Sequence, residues 1–197
     1  TLDRVLVIGA ETLSRIVNWE DRATCVLFGD GAGAAAIDSR GPGGVLGGWH
    51  WGADGSMGPS LVQPAGGSRE PISHEALDGK RNTIYMEGSE IFKNAVRAMR
   101  DSALMALEKE GLRREDVHLL ISHQANLRII DSTAKALNLP PEKVFVNIHK
   151  YGNTSSASIP IALDEVVRDG IVKPGMNVVL AAFGAGLTWG GMVLKWK

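Results

Sequence analysis

Apolar and polar positions change period along this chain, and the changes divide it into elements. Val5-Leu6-Val7-Ile8 ahead of Gly9 is a short β-rich run with the character of a buried central strand. Residues 12–22 are polar, with Trp19, Glu20, Asp21 and Arg22, and read as a surface loop or short helix. Cys25 to Phe28 reads as a strand, Gly29, Gly31 and Gly33 as a turn, and Ala34 to Ile37 as a return strand. Residues 39–82 are rich in Gly, Pro and Ser, with a strand at Val45 to Trp49 and a long irregular crossing after it. From Glu87 to Gly111, Ile91, Ala95, Met99, Ala103 and Leu107 recur every four residues, which predicts the longest helix. Val117 to Ile121 reads as a compact buried strand, and Leu127 to Leu137 as a helix stopped by Pro140-Pro141. Lys143 to Ile148 reads as another strand, and 154–169 as a helix closed by Gly170. Residues 177–196 form a predicted hairpin about Gly184-Ala185-Gly186.

Strands alternating with helices predict an α/β fold. Val5 to Gly33 weakly echoes Val178 to Gly186, which suggests a duplicated unit. Residues 1–43 then read as the tail of one copy and 44–197 as a whole second copy. A chain that opens on a buried strand lacks that strand's neighbours, and position 1 is not Met, so a fragment or processed chain is expected.

Composition changes this picture little: 44% hydrophobic and 22% charged is ordinary globular content. A net charge of −1 gives no global attraction to nucleic acid or membranes, so any basic patch is local. A single cysteine excludes an intramolecular disulfide and fits a reducing compartment. No apolar run reaches membrane-span length and the start lacks the form of a signal peptide.

The candidate chemistry lies at predicted strand ends. His123 follows Val117 to Ile121, and Asn153 stands in a glycine-containing turn after Lys143 to Ile148. In α/β folds that edge collects ligands and catalytic side chains. A histidine alone there is commonly structural; with Asn153, and Ala185 between two glycines, it gains convergent donors for one developing oxyanion. The 29–33 glycines lack both dinucleotide and phosphate-loop spacing. Cys25 sits in an apolar run with no His beside it and reads as inert. His50 and His74, in the loop-rich stretch, have no partners at metal-ligand spacing.

Specific runs carry a resemblance. Asp21-Arg22-Ala23-Thr24 through Phe28-Gly29-Asp30-Gly31-Ala32-Gly33, Ser122-His123-Gln124-Ala125-Asn126-Leu127-Arg128, Tyr151-Gly152-Asn153-Thr154-Ser155 and Phe183-Gly184-Ala185-Gly186 stand in order. They are similar to the C-terminal part of the β-ketoacyl-[acyl carrier protein] synthase III family, in the thiolase superfamily. The resemblance implies a thiolase-like layered αβαβα architecture, with 1–43 the tail of the N-terminal half and 44–197 the C-terminal half. It implies the initiating condensing enzyme of type II fatty acid synthesis, an acyltransferase joining an acyl-CoA primer to malonyl-acyl carrier protein with loss of CO₂. No cofactor or metal is implied. His123 and Asn153 would stabilise the enolate, and the Ala185 backbone N–H would serve a second oxyanion hole. Arg22, Gly88, Ala125 and Asn126 would contact coenzyme A. Gln124, Ala125, Asn126, Leu127 and Arg128, with Lys93 and Lys135, would dock the acyl carrier protein. A homodimer in a bacterial cytoplasm or plastid stroma is the implied setting.

One departure counts against activity of the chain by itself. The family's nucleophilic cysteine belongs upstream of the region matching Thr1, and Cys25 falls at another position. The expectation is a chain with the decarboxylating half of the site and no acyl acceptor, inactive in isolation. The alternative is a non-catalytic half-domain that binds the carrier or a partner subunit. A plant-type polyketide synthase or hydroxymethylglutaryl synthase is disfavoured by His123-Gln124-Ala125-Asn126-Leu127-Arg128.

Overall fold

The computed structural model describes residues 3–41 and 43–197; positions 1, 2 and 42 of the segment 1–43 lie outside the described residues. The strands are β1 (Arg4–Thr12), β2 (Asp30–Asp38), β3 (Gly44–Ala53), β4 (Leu61–Val62), β5 (Tyr85–Met86), β6 (Leu119–Ser122), β7 (Asn177–Gly184) and β8 (Thr188–Trp196). The helices are α1 (His74–Asp78), α2 (Gly88–Lys109), α3 (Leu127–Ala136), α4 (Ile148–Tyr151) and α5 (Ser158–Arg168).

The main sheet runs β3-β8-β7-β6, with β6 parallel to β7 and the other neighbours antiparallel. Alternation along β6 and β7 feeds two cores. Leu120 and Val179 point to one face, where Met99, Ala103 and Leu107 of α2 and Ile129 and Ala134 of α3 cover them. Leu119, Ile121 and Val178 point to the other, against Ala162 and Val166 of α5. Both faces are thus buried, which is why these strands read as continuous apolar runs. Each fully buried side chain of this size contributes about 1.5–3 kcal/mol. The predicted long helix, the helix after His123 and the C-terminal hairpin are all present.

β1 and β2 form a separate antiparallel pair, Val7 opposite Ala35. β1, expected as a central strand lacking its neighbours, is open on this chain: Leu6 and Ile8 are each 62% exposed. It has one strand neighbour and packs against the 3₁₀ turn Ser155–Ala157, while β2 packs on α5.

Five further expectations are corrected. Residues 22–27 form turns rather than a strand, because the Asp21 carboxylate accepts from the Ala23 N–H and the Thr24 hydroxyl. The same bonds, Thr24 first, hold the Asp21 carboxyl below the usual carboxylate range. Gly31 and Gly33 lie inside β2 rather than in a turn. Lys143 to Ile148 is not a strand: only Val144 bridges Leu120, between the 3₁₀ turn Pro141–Lys143 and α4. Further pairing fails because the Asn147 N–H is taken by the Gln124 side chain. β3 runs well past Trp49 and includes His50, and its irregularity between Leu46 and Trp49 is held by Glu110. That carboxylate accepts from the Gly48 N–H at 2.5 Å and pairs with Lys195 at 2.6 Å. His74 opens α1 rather than lying in a loop.

Candidate active site

β6 ends at Ser122, and the chain turns so that His123 N–H still donates to Ala181 O of β7 at 2.7 Å. The imidazole Nδ1 meets Ser158 Oγ at 2.6 Å. The ring is half-buried, and desolvation pushes its pKa down from 6.5 to about 4, so it is neutral near pH 7. Next in line, Gln124 is 1% exposed. Its Nε2 donates to Ser122 O and Phe145 O, and its Oε1 accepts from Asn147 N–H. The expected place of Gln124 in the carrier-docking stretch is therefore corrected: its side chain is a tie between the His123 turn and the 145–147 segment. Asn126 caps α3, its Oδ1 accepting from Arg128 N–H at 2.9 Å.

Asn153 is reached through α4 and Gly152. Its N–H donates to Leu27 O at 2.8 Å, and its carbonyl accepts from Gly29 N–H at 2.9 Å, forming a parallel bridge to Phe28. A Cβ on Gly29 would run into the Tyr151 carbonyl, and Gly152 has φ +71°, so both positions need glycine for the strands to approach. The Asn153 Oδ1 accepts from Ser155 N–H at 2.9 Å. That bond assigns the amide orientation and leaves the Nδ2 hydrogens to donate elsewhere.

Two carboxylates brace this segment. Glu165 of α5 accepts from Tyr151 Oη at 2.6 Å, Asn147 Nδ2 at 3.1 Å and Lys150 Nζ at 3.3 Å. Burial pushes the Glu165 carboxyl up, but the Tyr151, Asn147 and Lys150 bonds outweigh it and hold the group below its ordinary value. Glu11, at the end of β1, accepts from Ser156 Oγ at 2.6 Å. Asn153 and the His123 partner Ser158 are thus five positions apart in the chain, joined through the 3₁₀ turn Ser155–Ala157.

The other expected site residues separate into groups. Ala185 lies exposed in the β7–β8 turn, its N–H without a protein acceptor among the described residues. Arg22 is exposed in the Asp21 turn, and Gly88 is exposed as the first residue of α2. Ala125 and Asn126 are half-buried beside His123. Leu127 is 51% exposed, and the Arg128 guanidinium sits 5.4 Å from the Phe92 ring centroid. Lys93 also pairs with Glu90 at 3.0 Å, and Lys135 is exposed on α3. Cys25 is half-buried in a turn, its N–H donating to Asp21 O. Among the described residues no cluster of three His, Cys, Asp or Glu is placed to hold a metal, and no helix is long and apolar enough to cross a membrane. Ser158, Glu165 and Glu11 were not foreseen as site supports. Their partners lie 35, 14–18 and 145 residues away, and no local spacing signals such contacts.

Comparisons with known proteins place this geometry in a family. Residues 1–55 match the profile of 3-oxoacyl-[acyl-carrier-protein (ACP)] synthase III, and residues 107–196 that of its C terminal. The chain is 55% identical over 194 residues to β-ketoacyl-[acyl-carrier-protein] synthase III of Caldanaerobacter subterraneus, covering 98% of this chain and 58% of that protein. The Clostridioides difficile enzyme of the same name is 55% identical over 192 residues, with the same coverage. Among solved structures, the Aquifex aeolicus synthase III superposes with TM-score 0.85 at 48% identity, over 98% of this chain and 58% of that one. The Thermus thermophilus enzyme gives 0.87 at 46%, over 99% and 60%. The chain spans about 58% of the length of the curated relatives it matches. With a mixed α/β thiolase-type fold shared with these structures, it belongs to the 3-oxoacyl-[acyl-carrier-protein] synthase III family.

Proposed function

We propose that this chain supplies the decarboxylating half of a condensing-enzyme site, acting on malonyl-acyl carrier protein in the priming step of fatty acid synthesis. The observation that carries the reading is a neutral His123 beside a segment that presents the Asn153 amide with its oxygen already occupied. When the malonyl thioester loses CO₂, the electron pair of the broken C–C bond moves into an enolate, and negative charge grows on the thioester oxygen. His123 and Asn153 donate N–H groups to that oxygen; each such preorganised donor contributes roughly 3–4 kcal/mol at the transition state. The carbanion then attacks a thioester-bound primer acyl group, whose oxyanion is served by the Ala185 N–H. The acyl-accepting cysteine is a residue other than Cys25, so the 197-residue chain alone does not complete the condensation.

Arg22, Gly88, Ala125 and Asn126 line the approach of the coenzyme A thioester. Leu127, Arg128, Lys93 and Lys135 offer the local basic face on which an acidic carrier docks. Reduced docking in Arg128→Glu, with decarboxylation of a short malonyl thioester unchanged, is the expected signature of that face.

The test is CO₂ release from malonyl-acyl carrier protein by the enzyme completed to the length of its relatives. His123→Ala and Asn153→Ala are each expected to slow release by about 10²–10³-fold, while transfer of the primer acyl group from coenzyme A persists. Unimpaired CO₂ release in either variant overturns the assignment. Carrier binding with no CO₂ release in the wild-type completed enzyme would instead leave a binding half-domain.

A further inference from the structure

Ser158 is 3% exposed at the start of α5, and its hydroxyl oxygen meets two nitrogens. The Gln124 N–H donates to it at 3.3 Å, and His123 Nδ1 lies 2.6 Å away. The Gln124 bond has one direction only, since a backbone N–H cannot accept. The His123 contact has two possible directions, and a count of hydrogens decides between them.

If Nδ1 carried the proton, Ser158 Oγ would accept twice and its own hydrogen would need a third partner. Among the described residues Oγ has none beyond these two nitrogens. A buried hydroxyl hydrogen left unpaired costs about 1–3 kcal/mol. With Nδ1 as the acceptor, every group is satisfied: Gln124 N–H to Oγ, then Oγ–H to Nδ1. We infer that Ser158 is a positioning residue that fixes His123 in the Nε2–H tautomer, so that the ring's single N–H is the one turned away from the protein scaffold. Burial of the imidazole in its neutral form supports the assignment, because a doubly protonated ring would be unable to accept from Ser158.

The inference deepens the proposed decarboxylation. A ring that keeps its proton on Nε2 stabilises the enolate by hydrogen bonding alone, and no proton is transferred in the step. Ser158 touches neither substrate nor the reacting atoms; it acts through His123 and, through the Gln124 N–H, ties the imidazole to the turn after β6.

The experiment is ¹⁵N NMR of histidine-labelled protein near neutral pH, with resonances assigned by His123→Gln. The wild type is expected to show a pyrrole-type Nε2 and a hydrogen-bonded pyridine-type Nδ1 at His123, with the Nε2–H form in about tenfold excess or more. A pyrrole-type Nδ1 in the wild type overturns the inference without need of any further variant. Ser158→Ala is expected to shift the Nδ1 resonance and Ser158→Thr to restore it; an unmoved resonance in a folded Ser158→Ala protein also overturns it. In the completed enzyme, CO₂ release should fall about tenfold in Ser158→Ala, with KM for the malonyl carrier unchanged, and recover in Ser158→Thr. The spectrum judges the tautomer with no reference to activity. Normal CO₂ release in His123→Ala would sink the decarboxylation reading and leave the tautomer standing.

Discussion

β1 and β7 are built from the same kinds of residue, and each pairs antiparallel with a glycine-bearing strand, yet they lie in opposite environments. In β7, Val178 and Val179 are 0% and 1% exposed, whereas Leu6 and Ile8 of β1 are each 62% exposed. The cause is outside the strands. β7 has a neighbour on either side and helices over both faces, while β1 has a single partner and one turn against it. Apolar sequence makes a strand; layers on both sides make it a core strand. The exposed run on β1, with Trp19 and Val26 also open to solvent, has the character of an interaction face.

The candidate site straddles these two regions. His123 hangs from the buried sheet through Ala181, while Asn153 is held from the ribbon side by Leu27, Gly29 and, through Ser156, Glu11. Ser158 joins the two. One half of the pair is therefore anchored in a rigid layer and the other in a region with little cover.

The sharpest way to break the comparison uses one residue type in both places. In the 197-residue chain, Leu194→Ala in β8 is expected to cost about 2–5 kcal/mol by urea denaturation. Leu6→Ala in β1 should stay within about 0.5 kcal/mol. A Leu6→Ala loss of several kcal/mol that grows with protein concentration would mean that a second copy covers the ribbon.

A second prediction follows from His123. Its folded pKa is depressed, so the unfolded chain binds the proton first as pH falls. Stability is full above about pH 6.5 and is lost as pH drops toward 4, by about 3 kcal/mol in all. His123→Gln should flatten that part of the stability profile, leaving the carboxylate-driven loss at lower pH. An unchanged slope between pH 6.5 and 4 would show that the ring is solvated in the native state.

Much of this was legible in the sequence, and the exceptions share a cause. The stripe of Ile91, Ala95 and Met99, and the continuous run into His123, are local patterns that dictate α2 and β6 directly. Burial of β1 is not decided by its own residues, because neighbours across space decide it. Cys25 to Phe28 looks like a strand by its side chains, yet the Asp21 carboxylate captures its backbone into turns. At the site, His123 and Asn153 stood out by motif, but Gln124 turned inward because Asn147 N–H and two carbonyls needed a partner. The braces from Ser158, Glu165 and Glu11 are contacts across the fold, visible only once it is assembled.

Glu165→Ala probes the brace on the sheet side. It strips acceptors from the Tyr151 hydroxyl and from Asn147, which is 2% exposed. The expected cost is about 2–3 kcal/mol, together with faster amide exchange through α4 and at Asn153. Glu165→Gln should recover part of it, since one amide oxygen still accepts. A loss in stability with no change in exchange at Asn153 would separate the brace from the site.

Glu11→Ala is the smallest change and the most informative about the ribbon. The carboxylate is the last side chain of β1 to reach the site segment, and it accepts from both Ser156 Oγ and, at 3.3 Å, Ser156 N–H. These bonds are solvent-exposed, so water replaces them at little cost, and the expected loss is about 1 kcal/mol or less. The effect on geometry should exceed the effect on stability. With Ser156 released, amides 153–156 should exchange faster, while Ile121 and Ala181 on the sheet side keep their protection. If both groups loosen together, the ribbon and the sheet form one cooperative unit and the contrast between β1 and β7 is only one of solvent exposure. If neither moves, the Phe28–Asn153 bridge alone holds the asparagine, and β1 serves the site only by supporting β2.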